Sequence, residues 1–223
     1  EAYHKLPDNI VVVGCLAHLR RKFFDGLKIL PKDKQKDSHL FKGVEYCDKL
    51  FHYEREFAWL SFKERLGKRQ QFSKPLFDEF YNWMEGLSAL PSSMLGQAVS
   101  YARKQKKYIE RYLTDGRLEI SNNRAERSLK SFVIGRKNWL FSNTTAGARS
   151  SAIYYSIIIT AIENGLNPYK YLTWVLTQMP NLGKSGYAAS VEELLPGGAV
   201  LPEEVFAPTS KKEPEQYAWE EDQ

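Results

Sequence analysis

Between Asp115 and Phe141 the chain reads DGRLEISNNRAERSLKSFVIGRKNWLF. One carboxylate, Glu126, stands among Asn122, Asn123, Arg124 and Arg127, in the first turn of a short helix expected over Asn123–Val133; Lys130 follows one turn later. About one short helix further on comes a basic-aromatic cluster, Arg136-Lys137-Asn138-Trp139. A lone acid in basic, amide-rich surroundings suits a site that holds a divalent metal ion against a phosphate backbone. Carboxylate oxygen is a hard ligand for magnesium or manganese, and arginine, lysine and asparagine bond phosphate oxygens. The residue types leave a plainer alternative open. With Asn123 as the cap, Glu126 falls at the third helical position and can bond back to the Asn123 amide in a capping box. The cations are then a solvated helix face, and Trp139, Leu140 and Phe141 anchor a loop to the core instead of offering a ring to a base.

The totals are those of an ordinary soluble chain: 223 residues, 43% hydrophobic, 26% charged, 13% aromatic. That length gives one or two domains with a real core. The net charge of +5 is modest, but it is unevenly spread. Residues 101–150 hold 12 Lys or Arg against 4 Asp or Glu, and residues 181–223 hold 3 against 9. A basic body with an acidic tail fits a polyanionic partner better than an acidic substrate; a solvated helical surface is the competing account. Two cysteines, Cys15 and Cys47, can build neither a disulfide framework nor a zinc site, so a reducing, cytoplasmic setting is expected. Cys15 sits in an apolar run and reads as core. The longest apolar stretch, Ala152–Ile162, is too short for a membrane span, so no membrane partner is expected.

Around the motif the expected elements are mostly helices. Ile10-Val11-Val12-Val13 is a β-branched run that reads as one buried strand ending near Cys15, with Arg117–Ile120 a second short candidate. Helices are expected over Ala17–Leu30, Leu40–Leu66, Pro75–Leu90 and Ser93–Leu113. Gly147–Asn164 is apolar almost all round and reads as a buried helix. Asn167-Pro168 caps and starts another, with Tyr169, Leu172, Leu176 and Met179 as its face. From Asn181 the period is lost, and an acidic tail is expected, partly disordered or laid over the body, and removable with little effect on the fold. The chain begins with Glu1, which suggests a fragment.

The Asp115–Phe141 stretch resembles the glutamate motif of the insertion-sequence 66 family of bacterial transposases. Two further pieces resemble that family in the same order: Val13-Gly14-Cys15-Leu16-Ala17-His18 with Arg20-Arg21-Lys22-Phe23-Phe24, and Asn164-Gly165-Leu166-Asn167-Pro168-Tyr169-Lys170-Tyr171-Leu172. The resemblance runs from about Ile10 to Met179. It implies a mainly α chain with a small β remnant: the C-terminal part of a ribonuclease-H-like α/β core of the DDE type, carrying a helical insertion. Residues 1–31 would hold the last core strand and following helix, 32–114 the insertion, 115–180 the glutamate helix and closing helices, and 181–223 the tail. Glu126 would be the third catalytic acid and metal ligand, for Mg2+ or Mn2+ in the full-length protein. Both aspartates of the set would lie before residue 1, since Glu1-Ala2-Tyr3 resembles the end of the segment following the second.

In that framework Asn122, Asn123, Arg124, Arg127, Lys130, Arg136, Lys137, Asn138 and Trp139, with Arg20 and Arg21, are the candidate DNA contacts. His18 is a candidate support near the acids, or a structural histidine. The implied function is transposition, by metal-dependent cleavage and transfer of DNA strands in the full-length protein. Implied partners are transposon-end and target DNA, further copies of the chain assembled on it, and accessory proteins of the same element. Two other accounts remain: a non-catalytic helical DNA-binding remnant of a transposase, and a helical protein-interaction module. The last explains the apolar spacing but not the basic bias around Glu126.

Overall fold

Serine, threonine and asparagine stops punctuate this sequence, and five of the helices begin at such a cap. In a computed structural model describing residues 10–139, 142–184 and 190–208 (backbone only for 136–139), nine α-helices follow in order. They are α1 (Leu16–Ile29), α2 (Lys32–Gln35), α3 (His39–Glu56), α4 (Phe62–Lys68), α5 (Lys74–Glu85), α6 (Met94–Ile109), α7 (Asn123–Trp139), α8 (Thr145–Glu163) and α9 (Pro168–Gln178). The Ser38, Ser61, Ser93, Thr144 and Asn167 side chains each accept a hydrogen bond from a backbone amide in the first turn of the helix they precede. Such a cap satisfies an amide that would otherwise have no partner, and contributes about 1 kcal/mol. Ser61 and Glu64 complete a reciprocal capping box.

The chain forms two compact units, Glu1–Arg124 and Ala125–Gln223. In the first, α1 packs on both α3 and α6, and α5 packs on α3. Their apolar stripes meet in one core that includes Leu19, Phe23, Cys47, Leu50, Phe77, Phe80, Met84, Ala98, Ala102 and Tyr112. Gly43 lets α3 approach α1, for any Cβ there would strike the Phe23 ring. Burial pushes the Cys47 thiol well above the ordinary thiol range, so it stays a protonated core side chain. The second unit has a smaller core of Ala161, Leu166, Tyr171 and Val205, flanked by Ile157, Leu172, Trp174, Val175 and Leu201.

The mainly helical expectation holds, with several corrections. Ile10–Cys15 is extended but is not a strand. Among the described residues it has no ladder partner, and its backbone is satisfied by helix-end groups instead: the Gly14 amide donates to the Tyr108 carbonyl, and the Val12 carbonyl accepts from Arg111. Its outer residues Ile10 and Val11 are exposed. Arg117–Ile120 is likewise not a strand. An isolated β-branched run has no stability as a strand until a neighbour pairs with it.

The expected Leu40–Leu66 helix is two, broken at Phe57–Ser61. α5 begins one residue earlier than expected, led in by a π-helical turn at Arg69–Ser73. The short helix of the glutamate motif is longer than expected and runs to Trp139, so Arg136–Trp139 continue that helix and do not form a loop. Nothing in Ile134–Asn138 forces a stop: the one glycine, Gly135, costs a helix only about 1 kcal/mol.

α8 is not buried. Of its residues only Ala161 is fully covered, while Ile153, Tyr154 and Ile162 are exposed. An all-round apolar pattern records what a helix can bury, not what its neighbours cover. The covered residue of α9 is Tyr171; Tyr169, Leu176 and Met179 are exposed.

Part of the tail is laid over its neighbours, as one of the two expectations had it, and the expectation that it is removable needs correction. Residues 190–208 pack on the α8–α9 pair. The Tyr171 hydroxyl donates to the Leu194 carbonyl (2.8 Å), the Asn167 amide to Val205 (2.8 Å) and the Ala207 amide to Gly165 (2.8 Å). Leu166 and Phe206 form an antiparallel bridge. Leu194 and Val205 are buried, and residues 209–223 lie outside the described residues. Deleting residues 190–223 therefore removes two core side chains and uncovers Tyr171. It should lower unfolding free energy by about 3–6 kcal/mol in thermal or denaturant melts, whereas a chain ending at Pro208 keeps these contacts and should melt near the parent temperature.

Candidate functional site

The approach to α7 is built before the helix itself. α6 ends in a 3-10 turn, Glu110–Thr114, and the chain then crosses to Asn123 as an irregular segment. This stretch has no sheet ladder to join, and one buried side chain bonds three of its carbonyls, one on the 3-10 turn and two beyond it. Arg69, on the π turn and 1% exposed, donates to the carbonyls of Tyr112, Asp115 and Leu118, each at 2.8 Å. Its Nε and Nη2 also grip the Glu54 carboxylate of α3, at 2.8 and 2.6 Å. The guanidinium lies over the Tyr112 ring, 5.2 Å from its centroid. Gln70 bonds the Leu113 carbonyl, Arg65 bonds Gly116, and the Leu16 amide donates to Ile120. Gly116 passes so close to the Phe62 carbonyl that a Cβ would collide with it.

Asp115 closes a local turn, accepting from the Arg117 amide (2.9 Å) and from its guanidinium (2.6 Å to Nη2). These bonds, above all the side-chain ones, hold its carboxyl down at about 2. Burial raises the Tyr112 hydroxyl beyond the usual phenol range, so it stays neutral in the core.

α7 then opens with Asn123 as its first helical residue, following exposed Asn122. Arg124, also exposed, pairs loosely with Glu119 at 3.5 Å. Glu126, Arg127 and Lys130 are all exposed in the first two turns, and Glu126 and Lys130, four apart, share one helix face. Within the second unit α7 is tied to α8 by Ser128 donating to Glu163 (3.1 Å) and by an edge-on contact of Phe132 with Tyr155. Arg136, Lys137, Asn138 and Trp139 continue the α7 backbone, and their side chains lie outside the described residues.

His18, Arg20 and Arg21 lie on α1 of the first unit. The Arg20 guanidinium is taken up by Asp48 of α3, with its Nη2 at 3.1 Å, and lies over Phe24. Its geometry is that of a helix–helix tie. Arg21 is exposed and His18 half-buried.

Glu126 offers one hard oxygen ligand. Among the described residues no three His, Cys, Asp or Glu side chains converge as a metal site, so these residues do not by themselves fit a pair of divalent ions. Sequence reasoning missed Arg69 and Glu54 entirely. Nothing in their local pattern sets them apart from other charged helical residues, because the pairing is made between α3 and the π turn.

A helical body that pins the lead-in to a helix bearing an exposed acid among cations agrees with what comparison of the sequence finds. Residues 1–150 match the model of the transposase IS66 family, and residues 156–196 match the IS66 C-terminal element. The chain belongs to the IS66 transposase family. It is similar to two uncharacterized proteins of Sinorhizobium fredii (strain NBRC 101917 / NGR234). It is 34% identical to y4hP over 179 residues (76% of this chain, 32% of the relative) and 31% identical to y4qI over 191 residues (85% and 34%). The chain thus spans about a third of the length of these curated relatives. No solved structure matches it. No helix among the described residues is long and apolar enough to cross a membrane.

Asp115 supplies a pH test of the turn ahead of α7. Its folded carboxyl is depressed to about 2 from the ordinary 3.8, so its contribution to stability is complete above about pH 4. That contribution is lost as pH falls toward 2. Carboxyl-detected NMR titration should find this aspartate ionised at pH 3, and Arg117→Ala should move its midpoint up toward the ordinary value.

Proposed function

We propose that this chain is the part of a DDE-type transposase that presents the third catalytic carboxylate, Glu126, to DNA. The observation that carries the reading is the exposed Glu126 in the first turn of α7, inside a stretch matched by the transposase family model. Exposure on a helix whose lead-in is clamped suits a ligand that must meet partners from elsewhere in a longer protein.

In this reading the whole protein brings the two remaining acids, and together with Glu126 they hold magnesium or manganese, whose chemistry is activation of oxygen at phosphorus. The chain's own contribution is to orient the Glu126 carboxylate. Arg127 and Lys130, with Asn122, Asn123 and Arg124 at the start of the helix, engage phosphate oxygens and fix the register of the strand without reading its sequence. Arg136, Lys137 and Asn138 extend the same backbone contacts, with Trp139 beside them. The full-length protein acts on transposon ends and target DNA as an assembly of several copies. The ribonuclease-H-like core is the scaffold this family reading supplies, and the last core strand is the place for Ile10–Cys15 once a neighbouring strand is present.

Substitution of Glu126 tests the proposal. In the full-length protein Glu126→Gln should reduce magnesium-dependent strand cleavage by at least about 10³-fold, as expected when a group acting in the transition state is removed. Binding to transposon-end DNA and the melting temperature should stay unchanged. A capping-box role predicts instead near-normal cleavage, since glutamine serves equally there. Metal-dependent cleavage by the Glu126→Gln protein at the parent rate would overturn the assignment.

A further inference from the structure

α6 carries an asymmetry that the glutamate motif does not explain. Over Met94–Ile109 it has four cations, Arg103, Lys104, Lys106 and Lys107, and no acid. Its core side is Gly96, Ala98, Val99, Ala102 and Ile109. The opposite side lines up Ser100, Lys104 and Lys107, and Arg111 continues the line on the following 3-10 turn, at helical spacings of four, three and four. Ser100, Lys104 and Lys107 are exposed. Neither Lys104 nor Lys107 is ion-paired among the described residues, and Glu110, the first acid beyond α6, is held toward Lys74 at 3.6 Å. Beside this line Lys22 of α1 reaches over the Tyr101 ring, 5.9 Å from its centroid.

We propose that the line Ser100–Lys104–Lys107–Arg111, with Lys22 alongside, is a contact surface for the phosphate backbone of duplex DNA, additional to the cations of α7. The inference rests on the reading that the protein acts on DNA, and it names where the first unit grips it. Lys104 to Arg111 covers about 10 Å at 1.5 Å per residue. Phosphates of one strand recur about every 3.4 Å along the duplex axis, so three cations face about three phosphates.

The aromatic neighbours argue for a duplex over a single strand. Single-strand binders present free ring faces on which bases stack. Here Lys107 (4.8 Å) and Arg111 (5.4 Å) both lie over Tyr108, and Lys22 lies over Tyr101, so both rings already carry cations and are half-buried. They steady charges instead of offering stacking platforms. Arg111 is fixed further by donating to the Val12 carbonyl at 2.6 Å. The surface therefore stands on the core of α1 and α6 and holds Lys22, Lys107 and Arg111 in place before DNA arrives.

The test is fluorescence anisotropy with a labelled 30-base-pair duplex of arbitrary sequence, titrated at several salt concentrations. The parent chain is compared with Lys104→Gln/Lys107→Gln and with a control of equal charge loss, Lys49→Gln/Lys63→Gln, at exposed positions of α3 and α4. Neutralising two phosphate contacts should reduce the slope of log affinity against log salt by about 1.8. The loss should be the same on a second duplex of unrelated sequence, while the control keeps the parent slope. Equal slopes for all three chains, with helical circular dichroism preserved, would overturn this surface and leave the DNA reading standing. A parent chain that fails to bind duplex at low salt would overturn both. Tighter binding to vesicles of equal parts phosphatidylserine and phosphatidylcholine than to duplex would assign the surface to another polyanion.

Discussion

Within the first unit, one buried guanidinium holds the segment that leads into the glutamate helix. Taking Arg69 out of water costs several kcal/mol, and burial is tolerable only because every nitrogen finds a partner. Two of its nitrogens bond Glu54, and three backbone carbonyls between Tyr112 and Leu118 take the remaining bonds. Tyr112 lies on the closing 3-10 turn and the Asp115 carbonyl also accepts from the Leu118 amide, while from Asp115 onward the segment has no helix or sheet ladder of its own. The arrangement is therefore mutual: the segment needs a donor with fixed fork geometry, and the arginine needs acceptors. Lysine, a point charge with three donors, cannot replace it.

The same logic explains the shape of the helical body. α3 supplies Glu54, the π turn supplies Arg69, and α6 delivers Tyr112, so three elements distant in sequence must be packed before the network closes. The aromatic core of Phe23, Phe77, Phe80 and Tyr81 is the apolar counterpart of this polar junction. What leaves it is a short stretch anchored at Ile120, which is buried and bonded to Leu16, and then the first residues of α7.

Sequence alone gave access to the local features. Ser93 and Asn167-Pro168 mark their helices because capping and the proline ring act within one turn. The period of Leu16–Leu30 marks α1, and the basic, asparagine-rich surroundings of Glu126 mark the family. Features fixed by distant partners were out of reach. The β-branched run Ile10–Val13 satisfies every local rule for a strand and lacks only a neighbour. α8 looks buried because its composition is apolar, yet the residues around it fully cover only Ala161 and leave the rest half-buried or exposed. Leu194 and Val205 sit in a stretch with no period, and they pack by single side chains that no periodicity can reveal. Arg69 resembles any lysine or arginine on a solvated helix until Glu54 and the three carbonyls are placed around it.

The central claim is that Arg69 sets the conformation of the lead-in to α7, and native-state hydrogen exchange of Arg69→Lys reads it most directly. In the parent chain the Leu118 amide is bonded to Asp115 and the Leu16 amide to Ile120, one within the clamped segment and one at its edge. Each charged hydrogen bond lost is worth about 1.5–3 kcal/mol. Both amides should therefore exchange at least about tenfold faster in the variant, while amides in the middle of α3 slow or quicken far less. Unchanged exchange at Leu118 and Leu16, or an equal acceleration at every amide of the first unit, would contradict the account.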